Sequence, residues 1–159
     1  MRRTLVGTLT VALLVLAAAV GCGNSGNDGG SAMIAMTPLA GKIAGQSWIE
    51  MTAETDFILS TPTAFDVSLY SDSFTACNGQ STQETYLSLT VPKTPGDYTI
   101  AVQGDSTAFF VTGGASNLVV SAGHLVVDSV TSTTITGGIN ITANSDNSVD
   151  GQFTATICP

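Results

Sequence analysis

Thr133-Thr134-Ile135-Thr136-Gly137-Gly138-Ile139-Asn140-Ile141-Thr142-Ala143 is followed, after Asn144-Ser145-Asp146-Asn147, by Ser148-Val149-Asp150-Gly151-Gln152-Phe153-Thr154-Ala155-Thr156-Ile157. Both runs are rich in β-branched residues and alternate apolar with polar side chains, the period of a half-buried strand. The Asn/Ser/Asp cluster between them is a turn signal. Residues 124–130 form a third such run, set off by Thr131-Ser132. The end of the chain therefore reads as a three-strand antiparallel meander. The glycines at 137, 138 and 151 fall at similar places in neighbouring strands, where they permit local twist or close backbone approach.

The same pattern extends toward the N-terminus. Phe65, Val67 and Leu69 alternate with Asp66, Ser68 and Tyr70, and Leu87, Leu89 and Val91 alternate with Ser88 and Thr90. Pro95-Gly96 suits the centre of a type II turn, and residues 98–102 leave it as a strand. Residues 108–112 and 117–121 are further short apolar runs. Residues 41–53 hold two short strands, or one bent at Gly45. Residues 52–57 are the one helical candidate. The expectation is an all-β chain: a single antiparallel β-sandwich of about nine short strands over residues 39–159. A lone Trp in a small sandwich belongs in the core, which places Trp48 there.

The N-terminal stretch sets the address. Met1-Arg2-Arg3 is a small positive head, and an apolar run follows to Val20. The run is marginal for a bilayer span, which needs about 20 apolar residues, and has the layout of a secretory signal. Ala19-Val20-Gly21-Cys22 resembles the lipobox of bacterial lipoproteins, with Ala19 where that family has Leu. The resemblance implies cleavage after residue 21, acylation of Cys22 (palmitate among the chains) and a lipid anchor in the cell envelope. Gly23 follows the cysteine; without Asp there, the resemblance favours the outer membrane, periplasmic or surface-facing. Residues 22–38 would then be the lipidated Cys and a Gly/Ser/Asn tether. Val91-Pro92-Lys93 with Pro95-Gly96-Asp97-Tyr98, and Val149-Asp150-Gly151-Gln152-Phe153, further resemble uncharacterised β-sandwich lipoproteins of Gram-negative bacteria, a family that implies a fold and a location but no activity.

With Cys22 acylated, Cys77 and Cys158 remain as a pair. In an oxidising envelope an even remainder points to a disulfide. A link across 81 residues would constrain the unfolded chain by about 4–5 kcal/mol.

Composition limits the function. Without residues 1–21, Lys42 and Lys93 are the only basic side chains, against 12 acidic ones. So acidic a chain repels nucleic acid, and the partners expected are the membrane, through Cys22, and an envelope protein or glycan. His124 is the only histidine; it opens a strand, no Gly-x-Ser-x-Gly accompanies it, and it reads as a surface residue. Glu50, Glu54, Asp56 and Glu84 show no spacing that marks a glycosidase pair. Asp146, Ser148 and Asp150 match the first half of a calcium loop, but Ile157 stands where the closing Glu belongs, and a polar hairpin explains them better. Tyr70 and Tyr86 fall opposite the apolar alternation and are the candidate ligand-facing aromatics. The expectation is a non-catalytic structural or protein-interaction module without a cofactor; the alternative is a carbohydrate- or small-ligand-binding domain.

Overall fold

The computed structural model describes residues 33–114 and 117–159. The proposed signal peptide, Cys22 and most of the proposed tether lie outside them. Among the described residues there is no helix, and 11 strands form one sheet. They are β1 (Ala40–Ile43), β2 (Gln46–Ile49), β3 (Thr52–Asp56), β4 (Ala64–Tyr70), β5 (Thr85–Pro92), β6 (Gly96–Ala101), β7 (Ala108–Thr112), β8 (Leu118–Val119), β9 (Ala122–Val130), β10 (Thr134–Asn144) and β11 (Asn147–Thr156).

The sheet runs β6-β9-β10-β11-β3-β4-β5-β7-β8, with the β1–β2 hairpin attached to the first half of β11. It is curled into a half-barrel. The meander β9-β10-β11 is as expected. Two expectations are corrected. The sheet is mixed, because β11 and β3 run parallel, and the strands form one curled sheet in place of a sandwich of separate sheets. The curl does what a second sheet would do. It brings Val67, Leu69, Leu87, Leu89 and Phe110 from one arm against Ile100, Leu125, Ile135 and Ile139 from the other, all fully buried in one core. Burying each such side chain stabilises the fold by about 1.5–3 kcal/mol.

The alternation of β4 and β5 holds as read: Val67, Leu69, Leu87, Leu89 and Val91 are buried, and the residues between them are not. Trp48 is in the core. The helical candidate 52–57 is strand β3 and the start of the loop after it. Residues 41–53 split at Ala44-Gly45, both at positive φ, into β1, β2 and the start of β3. Gly96 is not a positive-φ turn residue; it opens β6. It faces the ring and hydroxyl of Tyr98, whose Oη donates to the Thr94 carbonyl at 2.9 Å. That phenol closes the turn which a type II geometry would have closed by backbone alone.

The arms meet at two seams. At one, β11 and β3 share a single register pair, Thr156 with Glu54. At the other, residues 102–107 cross from β6 toward β5. Buried Ser106 pairs with Ile100 there, and its hydroxyl donates to the Thr90 carbonyl.

The glycines of β10 and β11 make room for an N-terminal strap. Ala35 N donates to Asp150 Oδ1, Gln152 Nε2 donates to the Ala35 carbonyl, both at 2.9 Å, and Gln152 N donates to the Thr37 carbonyl at 2.8 Å. A Cβ on Gly138 would stand 2.7 Å from Ile34 Cγ2. At Gly151, with φ of 140°, it would stand 2.7 Å from the carbonyl oxygens of both Thr37 and Pro38. Gly151→Ala is therefore expected to cost about 1–3 kcal/mol through strain and loss of the strap. Gly114→Ala, with nothing within 4 Å of the new carbon, should stay within about 0.5 kcal/mol of the parent. Urea unfolding of the two variants checks the contrast.

Candidate functional site

Strand directions give the half-barrel two ends. β3, β5, β9 and β11 finish at one, here the upper end; β4, β7 and β10 finish at the other. The connection from β4 to β5, residues 71–84, departs from the lower end and climbs the outer face of β3. Cys77 joins Cys158 at its upper limit, with Cα atoms 5.4 Å apart. Other bonds fasten it along the way. Thr52 Oγ1 donates to the Asp72 carbonyl at 2.9 Å and accepts from Phe74 N at 3.3 Å. Asp72 accepts from the Ser81 hydroxyl and from the amide of Thr82, each at 2.7 Å. Cys77 sits in the left-handed region, φ 65°, and its amide donates to Glu54 Oε2. Cys158 N donates to Thr55 Oγ1 at 2.9 Å.

This excursion and β3–β4 enclose a cleft of about 290 Å³, lined by Glu54, Asp56, Ser68, Tyr70 and the disulfide. Its floor is polar because the outward positions of β3 and β4 are. Glu54 lies opposite Ser68, Asp56 opposite Asp66, and Thr52 opposite Tyr70. Burial, and next the neighbouring Asp56 charge, push the Asp66 carboxyl up; burial also pushes the Tyr70 phenol up.

The two sequence-predicted tyrosines are cross-strand partners, their ring centroids 5.2 Å apart and tilted by 33°. Only Tyr70 lines the cleft, and Phe74 of the excursion covers its other side edge-on at 5.3 Å. The rings thus form a packed cluster with one edge toward the cleft, in place of an open stacking platform. Glu54 Oε2 lies 3.9 Å from Cys158 Sγ, and with both cysteines it is the one metal-sized donor group among the described residues. Both sulfurs are in the disulfide, so they offer no thiolate to a metal.

The calcium candidates are held by the fold itself. Asp150 accepts from the strap, Ser148 pairs in register with Lys42 and Thr142, and Asp146 is in the exposed turn between β10 and β11. His124 is mid-strand in β9, its Nε2 on the Asp97 carboxylate.

Sequence reasoning missed two features. Glu50 is half-buried beside a cavity of about 390 Å³ under the strap, with Met36, Pro38, Gln152 and Phe153; burial raises its carboxyl from 4.5 to about 7. Residues 57–59 project from the upper end as an exposed apolar tip, beside a cavity of about 460 Å³ lined by Phe65, Pro62, Ile157 and Lys93. The run Phe-Ile-Leu was visible in the sequence, but an apolar run does not by itself say that it is exposed.

No known protein family matches this chain, and no curated protein or solved structure resembles it closely enough to count as a relative.

Two outcomes are expected. Replacing both Cys77 and Cys158 by Ala should lower stability by about 2–5 kcal/mol, and limited proteolysis should then cut first within residues 71–84. Glu50 binds its proton more tightly folded than unfolded, so its contribution to stability is full below about pH 4.5 and is lost as pH rises toward 7. Glu50→Gln should remove that slope. At pH 8 it should raise stability by about 1–2 kcal/mol, a figure discounted for solvent screening of a half-exposed group, read from urea melts across pH.

Proposed function

We propose that this chain is a non-catalytic, lipid-anchored cell-envelope protein, held to a membrane through Cys22, whose half-barrel presents a fixed surface to an envelope protein. The observation that carries the reading is the excursion over residues 71–84. A connection fastened by a disulfide, two side-chain carboxylates and a threonine has lost its conformational freedom during folding. It therefore offers a partner a surface that need not be ordered on binding, which lowers the entropic cost of association. The anchor, the outer-membrane address and the signal peptide rest on the lipobox resemblance at Ala19-Val20-Gly21-Cys22.

A second reading, a carbohydrate or small-ligand site, is favoured by the cleft. Carboxylate oxygens of Glu54 and Asp56, the Ser68 hydroxyl and the Tyr70 ring around one small volume suit a polyhydroxyl ligand.

Cys22→Ser should abolish incorporation of a labelled fatty acid and leave the chain uncut at residue 21. Equal labelling of the variant would overturn the anchor. A photo-crosslinker at exposed Gln80 should trap a discrete envelope protein in living cells, whereas one at Val119, on the far edge strand, should not. Absence of a Gln80 adduct, together with Tyr70 perturbation on titration with neutral oligosaccharides, would favour the second reading.

A further inference from the structure

We propose that the loop after β3, with Phe57, Ile58 and Leu59 at its tip, inserts into the surface of a neutral, zwitterionic bilayer and sets the upper end of the half-barrel against the membrane. The inference rests on the anchor reading for the bilayer being at hand, and goes beyond it in assigning a second contact and an orientation.

The three side chains are 73%, 87% and 62% exposed. Consecutive large apolar residues at such exposure mark an interaction site. What distinguishes this loop is its backbone. The amides of Ile58 and Leu59 donate to Asp56 Oδ1 at 2.8 and 3.1 Å. Ser60 N and the Ser60 hydroxyl donate to the Asp56 carbonyl at 3.1 and 2.6 Å. Thr61 N donates to the Ala64 carbonyl at 2.8 Å, and Ala64 N returns to Thr61 Oγ1 at 3.0 Å. An amide left without a partner is costly to take out of water. Here the amides of residues 58–61 carry their partners with them, so the tip can dehydrate without stranding them.

Charge placement selects the occupant. The upper-end segments are residues 57–63, 93–95, 131–133 and 157–159. They contain no acidic side chain. The Asp56 carboxylate at the base of the tip is engaged by the Ile58 and Leu59 amides, on the side where Phe57 and Ile58 border the cleft with Glu54. The one cation of these segments, Lys93, has its Nζ 4.6 Å from the Phe65 ring centroid beside the tip. The lower-end connections carry Asp72, Glu84 and Asp146. Lys93 can meet a lipid phosphate while the acidic end faces away. The overall excess of acidic residues disfavours an anionic surface, hence a zwitterionic one. The tip is convex, which a fluid interface accommodates without a matching groove.

The test uses the mature, anchored chain in vesicles of phosphatidylcholine and phosphatidylethanolamine, with and without brominated acyl chains. Trp48 is buried and supplies the baseline. Ile58→Trp adds an indole at the tip; Met51→Trp adds one just before the other end of β3, at a residue that is also exposed, 60% against 87%. Insertion by about 5–10 Å, the depth typical of interfacial segments, should cost the Ile58→Trp protein roughly half of its added emission in brominated vesicles. The Met51→Trp protein should match the baseline. Vesicle flotation with neither variant quenched overturns the loop assignment and leaves the anchor standing. Equal quenching of both also overturns it. Failure to float overturns the anchor reading and this proposal together. A lipid-independent blue shift of the Ile58→Trp emission with rising protein concentration, without quenching by brominated lipid, would give the tip to a second copy of the chain and overturn the bilayer assignment.

Discussion

The fold depends on how its two arms are held together at the junction of β11 and β3. The other neighbouring strands share ladders of two to ten register pairs; here Thr156 and Glu54 pair alone. A single parallel pair cannot fix the angle between two arms, yet the core exists only if they face each other. The disulfide supplies the missing constraint. Cys158 follows β11 directly, Cys77 belongs to the connection leaving β4, and their link crosses the junction. Cys158 N on Thr55 Oγ1 and Cys77 N on Glu54 tie the same two residues of β3. On the far side, Ser106 performs the corresponding task with one buried hydroxyl and one bridge.

This division explains what was legible in the sequence. Local rules found the strands, because alternation reports which face is buried; Val67 and Leu69 obey it, while Phe65, expected with them, is only half-buried near the start of β4. They also found the meander, because β9, β10 and β11 are joined by short polar turns. The arrangement of the arms was not legible. The deciding pair joins residues 54 and 156, with no turn or periodicity between them to encode it, and a half-barrel and a sandwich ask for the same alternation. The turn at Pro95-Gly96 misled for a related reason: the Tyr98 hydroxyl reaches back to the Thr94 carbonyl, a side-chain contact that a dipeptide rule does not contain.

The candidate site was legible in its residue types but not in its grouping. Tyr70 and Tyr86 were found by facing, and they do pair. That Phe74 would close over one of them depends on the path of residues 71–84, which the disulfide dictates. Glu54 looked like any surface carboxylate until the excursion brought the Cys77 amide to it. Glu50 looked the same, and differs because the strap over Gly151 buries one side of it.

Both proposed contact surfaces are built on β3. The strand contributes Glu54 and Asp56 to the cleft, and Asp56 organises the apolar tip. It pairs along its length with β4 but at one residue with β11, so the β3–β11 junction is the thinnest ladder inside the main path. Binding elements are commonly drawn from the less stable part of a fold. In this chain the covalent link lies at that place, limiting how far β3 can open while leaving its outer face available. Without the link, the same residues would be an unsupported edge beside an exposed apolar loop, a combination that invites self-association. The disulfide therefore serves two ends by one constraint: it closes the core from behind β3 and holds the surfaces in front of it in place.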